Sequence, residues 1–339
     1  MPRRKAKEIV VQVNPFLELI NSILLTSKYN EITKPLVGYG LMTEESNEYT
    51  EAIKKFFGKY QNHKIYKFIE NIIPNGFTFS RPVEIALSLS GSKDFTLQYP
   101  LSSLCIKYSG GISKINELLA LLNDFAKQSN YFNFYHENLK FYDSLFTKAS
   151  KLVKHPPFVT LLENEYGKEQ ASYNLVLSSL MVGNFGICFA NHDTKQSDLF
   201  AVLATDNFSL SPEILLHEYS HPFINPLTTK YSDLVKKYQS THEKLTASKL
   251  PDYRSGYGDW EECVNEHLVR AMVIHLLQKC ELYEAANQLL QNDLHSGYRY
   301  IPLILEKYNF YDNHRYLYKD LESYYPELLE VFACDFAIE

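Results

Sequence analysis

Residues 211–227 read SPEILLHEYSHPFINPL, and no other stretch of the chain restricts its own structure as tightly. Ser211 and Pro212 open a helix, where proline is tolerated because an N–H in the first turn has no intrahelical partner. An apolar run, Ile214-Leu215-Leu216, leads into His217-Glu218-Tyr219-Ser220-His221. On a helix, positions i and i+4 share a face about one turn apart, so both imidazoles can reach one ion. The apolar run predicts burial on that side, and buried histidines need partners. Zinc suits imidazole nitrogen, and a catalytic zinc takes three protein ligands and keeps a fourth position for water. Glu218 projects beside the ligand face, where it can take a proton from a water acidified by the metal to a pKa of about 7. Chance places this pattern in roughly one chain in forty of such composition. The reading therefore needs three more parts: a third ligand, an edge strand and an electrophilic helper. Asn225, just before Pro226, reads as the residue that ends the helix.

The third ligand is expected on the segment GDWEECVNEHLVRAMVIHLL, residues 258–277. Glu262, Glu266 and Arg270 fall on one helical stripe at i, i+4 and i+8. Either glutamate can face the metal, and Glu266 is preferred over Glu262. Arg270 is the i+4 partner of Glu266 and can orient a ligating carboxylate. Tyr253, Tyr257 and Arg270 are the candidates for stabilising an oxyanion. His242, His267, His275, His295 and His314 are given no role.

The rest of the chain sets the class. It has 339 residues, 45% hydrophobic and 22% charged, which suits a globular fold with a substantial core. Its net charge of −6 argues against a nucleic-acid partner, which calls for a basic face. Five scattered cysteines without a CxxC pair argue against a disulfide framework and for a reducing compartment. No apolar run is long enough to span a membrane, and no signal-peptide core follows the basic start MPRRK, so a cytoplasmic location is expected. Asn14-Pro15 caps a helix with Phe16, Leu19, Ile20 and Ile23 on one face. Further helices are expected over 46–60, 62–73, from Ser80, and over 109–129, with Gly110-Gly111 as a turn rather than a phosphate loop. Past His155-Pro156-Pro157, residues 172–193 alternate as strands, with Gly183-Asn184 turning a hairpin, and 198–207 form a third strand. The expected fold is α+β and predominantly helical, with a small mixed sheet. Residues 1–13 read as a flexible tail, 14–150 as a helical N-terminal region, and 151–339 as a catalytic region with C-terminal helices whose tyrosines are structural.

HEYSH followed some forty residues later by WEECVNEHLVRA resembles the gluzincin metallopeptidases. More specifically, the chain resembles the domain of unknown function 4932 family, which is grouped with metallopeptidases. The likeness lies in LLHEYSHPFINPL, NEHLVRA, YNLVLSSLMVGNFGICF and NPFLELINSILLTSKYNE, and spans residues 14–335. It implies a zincin-like arrangement, an edge strand packed on the HExxH helix and a glutamate helix. One zinc per chain would be held by His217, His221 and Glu266, with Glu218 as general base. It further implies a peptide or protein substrate paired along Val176–Val182 or its hairpin partner. Several gluzincins carry an aspartate four residues after the glutamate ligand. This chain has Arg270 there, so the surroundings of its glutamate are built differently. The rival readings are a binding or scaffold protein on the same fold and a zinc hydrolase acting on a non-peptide amide.

Overall fold

The computed structural model describes residues 7–91, 94–191, 194, 196–205, 210–247 and 259–334. It divides into two compact units, one of residues 9–152 and 171–211, the other of 1–8, 153–170 and 212–339.

The first unit is helical around a small mixed sheet. Its strands are β1 (Ile9–Gln12), β2 (Leu89–Ser90), β3 (Thr96–Leu97), β4 (Ser172–Ser178), β5 (Phe185–Ala190) and β6 (Ser197–Ala204). β2 and β3 form a separate antiparallel ribbon, and the others pair in the order β1-β4-β6-β5. β1, β4 and β6 run parallel, and β5 is antiparallel to β6. Two expectations change here. Residues 172–193 are not a hairpin, because β6 lies between β4 and β5. Of the two segments expected at the edge, Val176–Val182 is not there, since β4 is hydrogen-bonded on both sides, whereas the segment read as its hairpin partner, β5, does form one edge, with β1 at the other. The physical reason is visible in LVL, Leu175–Leu177, which is buried without alternation as befits a strand covered on both faces. Gly183 does occupy a turn, at φ +96°, but Asn184 closes it onto β6 by accepting the N–H of Ala204 at 2.9 Å. Ile9–Gln12, inside the segment read as a tail, is a strand paired with β4.

The helix Pro15–Thr26 starts as its sequence dictates. The Asn14 side chain accepts the N–H groups of Phe16 and Leu17, and Leu17, Leu19, Ile20 and Ile23 are fully buried. Gly110 and Gly111, both at positive φ, turn the chain into the helix Ile112–Ser129.

The second unit is all helix among its described residues. Trp260–Lys279 is its centre. From Cys263 to Leu277 all but Glu266 and Arg270 are buried, the mark of a helix surrounded by others. It packs against Pro212–Lys230, Tyr283–His295 and Ile301–Asn313. Asp259 caps it by accepting the Glu262 N–H at 2.9 Å. Tail tyrosines pin the bundle: Tyr308 donates to the Leu268 carbonyl at 3.0 Å, and Tyr325 meets Thr228 Oγ1 at 2.5 Å.

The motif helix does not stop at Asn225. It runs from Pro212 to Lys230, through Pro222 and Pro226. An interior proline costs about 3 kcal/mol, and here tertiary packing outweighs it. Phe223, Ile224, Leu227 and Thr228 are all buried, and Thr228 donates to Asn265 on the central helix.

Candidate metal centre

His217 and His221 project from the same face of the motif helix, with ring centroids 4.7 Å apart and planes at 81°. Their Nε2 atoms lie 3.0 Å from each other. Glu266 enters from the central helix, its Oε2 at 3.7 Å from His217 Nε2 and its Oε1 at 3.4 Å from His221 Nε2. The three side chains are mostly shielded from solvent, at 15 to 18% exposure. One donor atom from each lies within 4.8 Å of the others.

Two side chains fix these groups from outside. His221 Nδ1 lies 3.2 Å from Asn225 Oδ1. An amide oxygen only accepts, so Nδ1 carries the proton and Nε2, on the side of Glu266, is the ring atom available to a metal. Arg270 Nε donates to Glu266 Oε2 at 3.2 Å, and its NH1 donates to Asp293 Oδ1 at 2.7 Å. The guanidinium lies 4.2 Å from the centre of the Tyr298 ring. Arg270 is thus held on three sides and braces the glutamate.

Burial pushes His217 down to about 3, against the pull of Glu266, so its imidazole is neutral near pH 7 and can act as a ligand. Burial opposes ionisation of Glu266, but the two imidazoles and Arg270 outweigh it and hold the carboxyl below its usual value. Two imidazoles and one carboxylate are a zinc donor set. Tetrahedral zinc with bonds of about 2.0–2.1 Å spaces its ligand atoms about 3.3 Å apart. The separations here, 3.0, 3.4 and 3.7 Å, bracket that value. The residues therefore fit the ion.

Glu218 follows His217 on the motif helix and is 5% exposed. Glu262, the alternative third ligand, lies one turn before Glu266 and is exposed. It is absent from the cluster and sits on the exposed side of a first turn whose other side, Trp260 and Cys263, is buried. Tyr253 and Tyr257 lie outside the described residues. His267 is buried with Nδ1 2.8 Å from the Cys263 carbonyl. His275 belongs to a second cluster with Glu165, Asp312 and Lys279. The sequence reading takes Asn225 for the end of the helix rather than a partner of His221, and it misses Asp293. Asn225 was detectable as the i+4 neighbour of His221. Asp293 reaches Arg270 from the next helix, and no local pattern announces it.

Fold and site together define a predominantly helical protein with a small mixed sheet, in which two helices bring two histidines and a glutamate to one point. The chain belongs to the family described as domain of unknown function (DUF4932), matched over residues 9–331. No curated protein and no solved structure matches it.

Proposed function

We propose that the protein is a zinc-dependent peptidase of zincin-like design, with His217, His221 and Glu266 as metal ligands and Glu218 as general base. The observation that carries this reading is the convergence of three donor atoms from two helices, at spacings suited to tetrahedral zinc. A divalent ion held there supplies Lewis acidity and makes water a nucleophile near neutral pH. The chain's own groups do the rest. Glu218, directly after a ligand and shielded from bulk solvent, takes a proton from the attacking water and returns it to the departing amine. Asn225 sets the tautomer of His221, and Arg270 holds the Glu266 carboxylate in place.

The test is Glu218→Gln, assayed with a fluorogenic peptide library beside the wild type. Loss of general-base catalysis predicts a rate lower by about 10²–10⁴-fold, with zinc content by elemental mass spectrometry unchanged. Wild-type protein that holds zinc but hydrolyses no peptide, or a variant as active as the wild type, refutes the peptidase reading.

A further inference from the structure

The first unit holds a buried carboxyl that the metal chemistry does not use. Glu18, in the first turn of the helix Pro15–Thr26, is 0% exposed. Its Oε2 accepts the phenol protons of Tyr49 at 2.6 Å and Tyr142 at 2.8 Å, and its Oε1 accepts from Ser178 Oγ at 2.8 Å. Burial pushes its pKa above the ordinary value, and these three hydroxyls pull it back. Among the described residues no lysine, arginine or histidine pairs with it.

Each hydroxyl has one proton to give, and that fixes the polarity of the network when Glu18 is ionised. Ser178 gives its proton to Glu18 and accepts from Asn21 Nδ2 at 3.1 Å. Tyr142 gives its proton to Glu18 and accepts from the Ser179 N–H at 3.3 Å. Ser179 Oγ is also 3.1 Å from the Tyr142 oxygen. With the phenol proton committed to Glu18, the Ser179 hydroxyl must donate inward. Its oxygen is then left with lone pairs directed away from the network, polarised by a chain that ends in a carboxylate.

Ser179 lines a cavity of about 760 Å³, within the range of ligand pockets. Ser179 follows the last residue of β4, and Thr205, also in the lining, follows the last residue of β6. The cavity thus opens at the carboxyl ends of parallel strands, where open α/β sheets bind ligands. Its walls include Met42, Met181, Phe141 and Leu145. At the rim Glu44 and Glu45 outnumber Lys34, which is already ion-paired with Glu44.

We propose that this cavity binds a small amine, its apolar body against Met42, Met181, Phe141 and Leu145 and its ammonium group donating to Ser179 Oγ. The acceptor-only face of Ser179 selects a donor. The rim, where Glu45 is left over once Lys34 pairs with Glu44, selects a cation over an anion. This site lies wholly in the first unit and does not depend on the metal reading.

The test uses two probes with the same aromatic body and opposite heads, phenethylamine and 3-phenylpropionate, titrated calorimetrically into the full-length protein. The amine is expected to bind at least about tenfold more tightly than the carboxylate, and Ser179→Ala to weaken it about tenfold, the loss of one hydrogen bond to a charged group. Leu145→Trp, which fills the cavity, is expected to abolish binding. Thermal midpoints like the wild type's certify both variants as folded, and Ser179→Ala decides alone if the tryptophan is not accommodated. Equal affinity for both probes, binding of neither, or amine binding untouched by Ser179→Ala overturns the proposal.

Discussion

The central helix Trp260–Lys279 serves two clusters of histidines and carboxylates, and they have opposite characters. In its first half Glu266 meets His217 and His221. At its end His275 and Lys279 meet Glu165 and Asp312: His275 Nε2 lies 3.1 Å from Asp312 and 3.4 Å from Glu165, and Lys279 Nζ lies 2.6 Å from Glu165 and 2.8 Å from Asp312. Both groups have donor atoms close enough to share an ion. The second already contains a cation, because the Lys279 ammonium bonds both carboxylates. Burial pulls His275 down, but its hydrogen bonds to Asp312 and Glu165 outweigh that and raise its pKa. The first cluster has two imidazoles to one carboxylate, and burial drives His217 down to about 3. One cluster therefore presents lone pairs, and the other is filled with protons. On the proposed reading, residue type does not separate a metal centre from an ion-pair lock; the balance of charge does.

The comparison breaks most visibly at the metal. On the proposed zinc reading, Glu266→Ala is expected to lower zinc content from about one per chain to nearly none, because losing a ligand costs more than the 10–100-fold (about 1–3 kcal/mol) typical of an outer partner. Glu262→Ala should leave it unchanged, and elemental mass spectrometry reads both. Retention of zinc by Glu266→Ala, or its loss in Glu262→Ala, would move the third ligand. Asn225→Ala comes next. It frees the His221 tautomer, and zinc affinity measured by chelator competition should fall about 10–100-fold. An unchanged affinity would show that the 3.2 Å contact to His221 does not orient the ring.

Lys279→Ala tests the other side. Removing the ammonium leaves Glu165, which is 1% exposed on its side chain, facing Asp312 without that cation. Breaking a fully buried pair costs about 3–5 kcal/mol. Lys279 is 37% exposed, so about 1–3 kcal/mol is expected in chemical denaturation. If charge balance is the distinction, the vacated position becomes a metal site. Added zinc should restore stability, even with Glu266→Ala in the same chain. Destabilisation without rescue would mean that the two clusters differ in geometry and not only in charge.

The sequence made the first cluster legible and left the second hidden, for a physical reason. His217 and His221 belong to one helical turn, and Glu266 with Arg270 to another, so local periodicity exposed each half. Glu165, His275 and Asp312 come from three helices, and each looks like an ordinary polar residue until those helices pack. The same limit explains the sheet. Strand positions could be read from the apolar run and the glycine turn, but the insertion of β6 between β4 and β5 is a long-range pairing that no local pattern encodes. The motif helix was cut short because Pro226 is a strong local stop signal, whereas the packing of Leu227 and Thr228 that overrides it is tertiary.

The finest test is the proton on His275. A histidine whose folded pKa exceeds its unfolded value of about 6.5 adds stability in full below that value. The contribution is lost as pH rises through the raised folded pKa. Facing this ring are Glu165 from the helix Phe158–Tyr166, Asp312 and Tyr308 from Ile301–Asn313, and Lys279 from its own helix. His275→Gln keeps a donor near Asp312 and does not titrate. Urea midpoints of wild type and variant, in chelator from about pH 5.5 to about 8, isolate the effect. Other titrating groups cancel in the difference. The wild type should lead by about 1 kcal/mol, one charge-assisted hydrogen bond net of solvation, at the acid end, and the lead should shrink as pH rises. A difference constant with pH would mean that folding leaves the His275 pKa where it is in the unfolded chain, with Lys279 alone balancing the two carboxylates. A lead that grows with pH would reverse the sign and place His275 with His217, among the imidazoles that burial keeps unprotonated.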